Sequence, residues 1–265
     1  MIGQEDILTA LTTPSLGNLP HSILLVGERG SGKHTLAKEV AGHYGLSLED
    51  ISDKLTYDTL AKIQLSSIPK IYLVYLSGVA EREQNVILKF VEEPSDNAYV
   101  ILLADSKTGV LDTVINRCVQ YSMRPYAREL LRKFLPEGCD ESALDCCSTP
   151  GQVMSAAGRM GEMRALADAM VNKIGVARFD NALSIARKFN YRDIYDKFDP
   201  EAFLRVFLKA SSEAALRGDG KALRLYVMAD GCLSAMQDQR LSKEALMESM
   251  LIDMWRYARN GLQGA

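Results

Sequence analysis

Apolar positions in the first 125 residues fall into short dense runs separated by stretches of helical spacing. Ile23 to Val26, "KIYLVYL" (Lys70–Leu76) and "YVILLA" (Tyr99–Ala104) each read as a buried strand. Between them, Lys33–Tyr44 reads as a helix, and Glu81–Glu92 puts Val86, Ile87, Phe90 and Val91 on one helical stripe. Pro94, which cannot continue a helix, separates that stripe from the third strand. Strands alternating with helices predict a parallel α/β sheet.

Beyond Tyr121 the strand signals stop. Helices are expected over Tyr126–Phe134, Glu141–Cys147 and Gly151–Arg159, then in longer alanine-, leucine- and methionine-rich segments from about Arg164 onward. Turn-rich breaks fall at Leu135–Gly138, Ser148–Gly151, Lys173–Asp180, Lys188–Asp193 and Arg217–Gly220. The layout predicted is an α/β core at 1–122, a small helical domain at 123–162 and an all-helical domain at 163–265.

Composition narrows this picture. With 265 residues and 47% hydrophobic side chains the chain can fill its cores without metals or disulfides. Its five cysteines form no C-x-x-C pair, which predicts reduced thiols and no zinc site. Neither a signal-peptide pattern nor an apolar run of about 18 residues is present, so a soluble, cytoplasmic protein without a membrane partner is expected. A net charge of −3 argues against coating nucleic acid by bulk charge. The basic positions Arg124, Arg128, Arg132 and Lys133 read as a solvated helix face, with direct nucleic-acid contact as the competing reading.

The candidate chemistry lies in "ILLVGERGSGKHTLAK" (Ile23–Lys38). Gly27, Gly30, Ser31, Gly32 and Lys33 have the G-x-x-x-x-G-K spacing of a phosphate loop, in which glycines let the backbone curl its N–H groups toward phosphate oxygens. His34 follows where a magnesium-binding Ser or Thr is expected, and imidazole is a poor ligand for that hard cation. Thr35 is rotated about 100° further round the helix, away from the metal. At the end of the next core strand Tyr75 and Leu76 stand where an acidic pair would be needed. A degenerate loop is therefore expected, holding ATP or ADP at most weakly and without hydrolysis.

Together with "IGQEDI" (Ile2–Ile7), "LPHSILLVGERGSGKHTLAKEVA", "ILKFVEEPSDNAYVILLADS" (Ile87–Ser106), "VINRC" (Val114–Cys118) and "STPGQVM" (Ser148–Met154), the loop makes the chain resemble the clamp-loader subunits of bacterial DNA polymerase III, AAA+ proteins of the γ/τ/δ′ kind. The likeness is specific over residues 2–155 and only general beyond. It implies a P-loop core with a parallel sheet, a helical lid and a helical collar. It also implies that Arg117, in the family's S-R-C position with Asn116 for the serine, is an arginine finger reaching the γ-phosphate of a neighbour's ATP. A structural salt bridge is the alternative role for Arg117. The family's four-cysteine module has no counterpart, since only residues 34–69 lie between Lys33 and Lys70. The first sensor position falls on Ala104 or Asp105, and the lid arginine's place on Gly151, beside Gln152.

These departures resemble the δ′ subunit in particular. The expected function is a δ′-like subunit that hydrolyses no ATP itself and completes the site of a γ/τ-like neighbour. A δ-like subunit, the sliding clamp and primed DNA are the further partners. The alternative is a divergent P-loop ATPase or kinase with its own phosphoryl transfer, in which Asp105 or Glu81 would have to serve the metal.

Overall fold

The three apolar runs are the central strands of a five-stranded, all-parallel sheet in the order β2-β3-β4-β1-β5: β1 (Ser22–Val26), β2 (Ser47–Asp50), β3 (Lys70–Tyr75), β4 (Ala98–Ala104) and β5 (Val119–Ser122). In the register, Ile23 lies opposite Ile101 on one side and Val119 on the other. The computed structural model describes residues 2–77, 79–139, 141–174, 198–236, 238 and 241–263. The chain divides into two compact units, residues 1–130 and 131–265.

Strand residues alternate between the two faces of the first unit's sheet. Ile23, Leu25, Ile71, Leu73, Ile101 and Leu103 point to one face, where helices α1 (Glu5–Thr12) and α2 (Lys33–His43) cover them with Ile7, Leu11, Leu36 and Val40. Leu24, Val26, Tyr72, Val74, Val100 and Leu102 point to the other, under α3 (Tyr57–Gln64) and α4 (Glu81–Glu92), which add Leu60, Ile63, Ile87 and Phe90. A continuous apolar run without alternation is what burial on both faces requires.

Two strands escaped the apolar pattern. β2, "SLED", and β5, "VQYS", are edge strands of four residues with no fully buried position, so neither needs a hydrophobic run. The expected helix over Tyr126–Phe134 is also corrected: it is a single α turn, Arg128–Leu131, followed by a 3₁₀ turn over Arg132–Phe134. Tyr126 is drawn away from it, because its buried hydroxyl donates to the Ser31 carbonyl at 2.8 Å.

The second unit contains helices over Ala143–Cys146, Pro150–Ala157, Met160–Lys173, Pro200–Leu216, Gly220–Ala235 and Lys243–Gln263. Side-chain caps set three of these starts: Thr149 accepts from the Gln152 N–H, Asp199 from Ala202 and Asp219 from Lys221 and Ala222. Met160, Met163 and Met170 are buried in its core. The expected break at Lys173–Asp180, apart from its first two residues, and that at Lys188–Asp193 lie outside the described residues. Among the described residues no helix is long and apolar enough to cross a membrane, and no group of three or more His, Cys, Asp or Glu is placed to hold a metal ion.

All five cysteines are free thiols. Burial pushes Cys118 and Cys147 up to about 12 and Cys232 to about 11, and it raises Cys146 as well. Since the thiolate is the reactive form, iodoacetamide at pH 8 should modify only the half-buried Cys139 in the native chain, with the other four reacting after denaturation. Mass spectrometry of the alkylated chain reads this directly, and fast native labelling of Cys118 would contradict its burial.

Candidate functional site

In this strand order the chain leaves β1 toward β2 on one side, whereas it leaves β4 toward β5 on the other. The carboxyl ends of the neighbouring strands β1 and β4 therefore flank a topological switch point, the crevice where open α/β sheets place ligands. Both Gly27–Lys33 and Asp105 emerge there, because Val26 pairs with Ala104 at the last rung of the ladder.

The loop is built from glycines for two separate reasons. Gly30 and Gly32 have φ of +81° and +93°, a region that side chains with a Cβ rarely adopt. Gly27 is instead a close approach: a Cβ there would lie 2.5 Å from Met123 Cβ. The Gly27 N–H donates to the Ala104 carbonyl and the Met123 N–H to that of Val26, which ties the start of the loop to its neighbouring strands. Ser31, at the far side of the turn, is buried with its carbonyl bound to Tyr126.

Lys33 opens α2 but folds back under the loop. Its ammonium donates to the Gly27 carbonyl at 2.5 Å, to the Glu28 carbonyl at 3.1 Å and to Asp105 Oδ1 at 2.9 Å. Those are three acceptors for the three protons an ammonium carries. Burial lowers the Lys33 pKa and Asp105 opposes that shift by charge and hydrogen bond. Asp105 is itself steadied by a bond from its backbone N–H to Ser77 Oγ at 3.2 Å.

The two positions that would organise a metal are occupied by facing rings. The His34 imidazole and the Tyr75 phenol have centroids 6.4 Å apart and an interplanar angle of 24°. Burial raises the Tyr75 pKa, and Asp50 and Asp105 raise it further. Thr35 is exposed on the helix surface. An imidazole and a neutral phenol are not the hard oxygen donors that magnesium requires, so these residues do not fit a catalytic metal.

Arg117 stands apart from the loop, just after α5 (Asp112–Ile115). One arm of its guanidinium donates to the Thr113 carbonyl at 2.9 Å and the other pairs with Glu92 Oε1 at 2.8 Å. Its side chain is 40% exposed. A guanidinium has five N–H donors, so these two contacts orient the fork and leave donors for another acceptor. Gln152, beside the lid arginine's expected place, is buried and accepts from the Ser148 N–H at 2.9 Å and its hydroxyl at 3.0 Å.

The structure thus gathers Gly27, Gly30, Ser31, Gly32, Lys33 and His34 at one crevice and leaves Thr35 on the surface and Arg117 at a separate place. Sequence reasoning did not foresee the pairing of Glu92, the last residue of α4, with Arg117. It also missed Tyr75 as the partner of His34. The signal for the latter was present, since both metal-organising positions carry aromatic rings.

Among known proteins, a family model described as "DNA polymerase III, delta subunit" matches residues 45–127. The γ subunit of DNA polymerase III from Buchnera aphidicola subsp. Acyrthosiphon pisum is 26% identical over 172 residues, covering 51% of this chain and 47% of the relative. The δ′ subunit from Bacillus subtilis is 28% identical over 82 residues, covering 31% and 25%. The chain thus aligns with less than half the length of either relative. Among solved structures, a point mutant of RuvB from Thermotoga maritima shares the fold at a TM-score of 0.50 and 15% identity, over 77% of this chain and 88% of that one. Over the matched segments the chain is similar to DNA polymerase III subunits of the clamp-loader kind.

Proposed function

We propose that this chain is a δ′-like subunit of a clamp loader: it hydrolyses no ATP of its own and presents Arg117 to the γ-phosphate of ATP held by a neighbouring γ/τ-like subunit. In this reading residues 123–162 supply a lid and residues 163–265 a helical collar. The chain assembles in the cytoplasm with γ/τ-like and δ-like subunits, and the assembly places a sliding clamp on primed DNA. Its own loop holds ATP or ADP weakly at most.

The observation that carries the reading is the facing of His34 and Tyr75 where a hydrolysing site would hold its metal. Among the described residues the crevice has neither a metal-binding hydroxyl after Lys33 nor a carboxylate at the end of β3, the groups that would hold a metal and orient the attacking water. Asp105, one of the two carboxylates on which an independent phosphoryl-transfer enzyme would depend, is bound to Lys33. Arg117 by contrast is permanently charged, half-exposed and oriented by two contacts, as a group serving another subunit's phosphate must be.

The test is reconstitution with the other clamp-loader subunits of the same genome, followed by DNA-stimulated ATP hydrolysis with wild-type chain and R117A. Unchanged hydrolysis in an assembly of unchanged size would overturn the proposed role. So would magnesium-dependent ATP turnover by the isolated chain that disappears in K33A.

A further inference from the structure

We infer that Asp105 is the resident anion of the phosphate loop, an internal carboxylate that a nucleotide's terminal phosphate must displace, and so the residue that keeps this loop from holding ATP well. The inference rests on the proposed reading in taking Gly27–Lys33 as a phosphate loop that holds nucleotide weakly.

The argument is one of valence and register. An ammonium has three protons, and those of Lys33 face two loop carbonyls and Asp105 Oδ1. The carbonyls belong to Gly27 and Glu28, within the loop itself, so the carboxylate is the acceptor that an incoming phosphate can replace. Replacing it costs more than a hydrogen bond. Asp105 is anchored by the pairing of Val26 with Ala104 at the residue before it and by its own N–H bond to Ser77. Its negative charge would therefore remain beside the phosphate chain after Lys33 had changed partners, and like charges so close repel strongly where water is partly excluded. The side chain of Lys33 is 7% exposed and that of Asp105 32%, so solvent screens the crevice incompletely. Exchange of that carboxylate for a neutral group of the same shape removes the repulsion and leaves the lysine an acceptor.

The experiment uses the purified full-length chain in EDTA, with ATP and inorganic tripolyphosphate as probes titrated by calorimetry. D105N is expected to bind both at least tenfold more tightly than the wild type, a gain of about 1.4 kcal/mol. The double variant K33A/D105N should lose that gain, which ties it to the loop. If D105N does not reach the wild-type circular dichroism spectrum, D105S replaces it, with the same gain expected. Equal affinities for wild type and a folded Asp105 variant overturn the inference. They leave the role proposed for Arg117 standing, since that role is read in the assembly. A gain for ATP with none for tripolyphosphate also overturns it, by placing the effect away from the phosphates.

Discussion

Alanine in place of Arg117 is expected to lower the rate at the ATP site it completes by about a thousandfold, the low end of what an arginine finger contributes and equivalent to about 4 kcal/mol of barrier. In a multi-site assembly, steady-state assays register this as the loss of at least one site's share of turnover. Single-turnover phosphate release registers it as a missing phase. Folding does not account for such a loss. The Arg117–Glu92 pair is half-exposed on both sides, and exposed pairs are worth about 0 to 1 kcal/mol, so R117A should melt close to the wild type. R117K separates charge from shape. A lysine keeps the charge but not the planar fork held between Thr113 and Glu92, so little activity should return. Recovery to near wild-type rates in R117K would mean that a point charge suffices and that the orientation imposed by Glu92 is irrelevant.

That pairing also marks the limit of what the sequence discloses. β1, β3, β4, α2 and α4 were legible because each carries a buried run or stripe whose period is set by its own geometry. β2 and β5 were not, since an edge strand is defined by the neighbour it pairs with and needs few apolar residues of its own. The same holds for the candidate site. The glycines, Lys33 and the misplaced His34 announce themselves locally. Contacts between Lys33 and Asp105, His34 and Tyr75, and Arg117 and Glu92 join residues far apart in the chain, and they arise from strand order and register. Knowing that Val26 pairs with Ala104 brings the residues after both strands to one place. No property of "LLADS" taken alone does so.

The glycines give the second large effect, and a contrast in sign. G27A should destabilise the first unit by about 3 kcal/mol, the upper range for overpacking a tight contact. The new Cβ would fall 2.5 Å from Met123 Cβ and 2.7 Å from its Cγ. Side-chain rotation can relieve the second clash but not the first, because a Cβ moves only with its backbone. Both backbones are held, Met123 by its N–H bond to Val26 at 2.7 Å and Gly27 by its bond to Ala104 at 3.1 Å. Gly42, inside α2, meets nothing within 4 Å of its missing Cβ. The same substitution there removes glycine's helix penalty and should stabilise by about 0.5 to 1 kcal/mol. Hydrogen exchange of the β1 and β4 amides, followed by mass spectrometry, reads both variants in the unit concerned. If the clash is the cause, G27A combined with M123G should cost less than the sum of the two single changes, since sites in contact do not add. Strict additivity, or a G27A chain as protected as the wild type, would show that the loop has room at its first glycine. The close approach of β1 to Met123 would then be wrong.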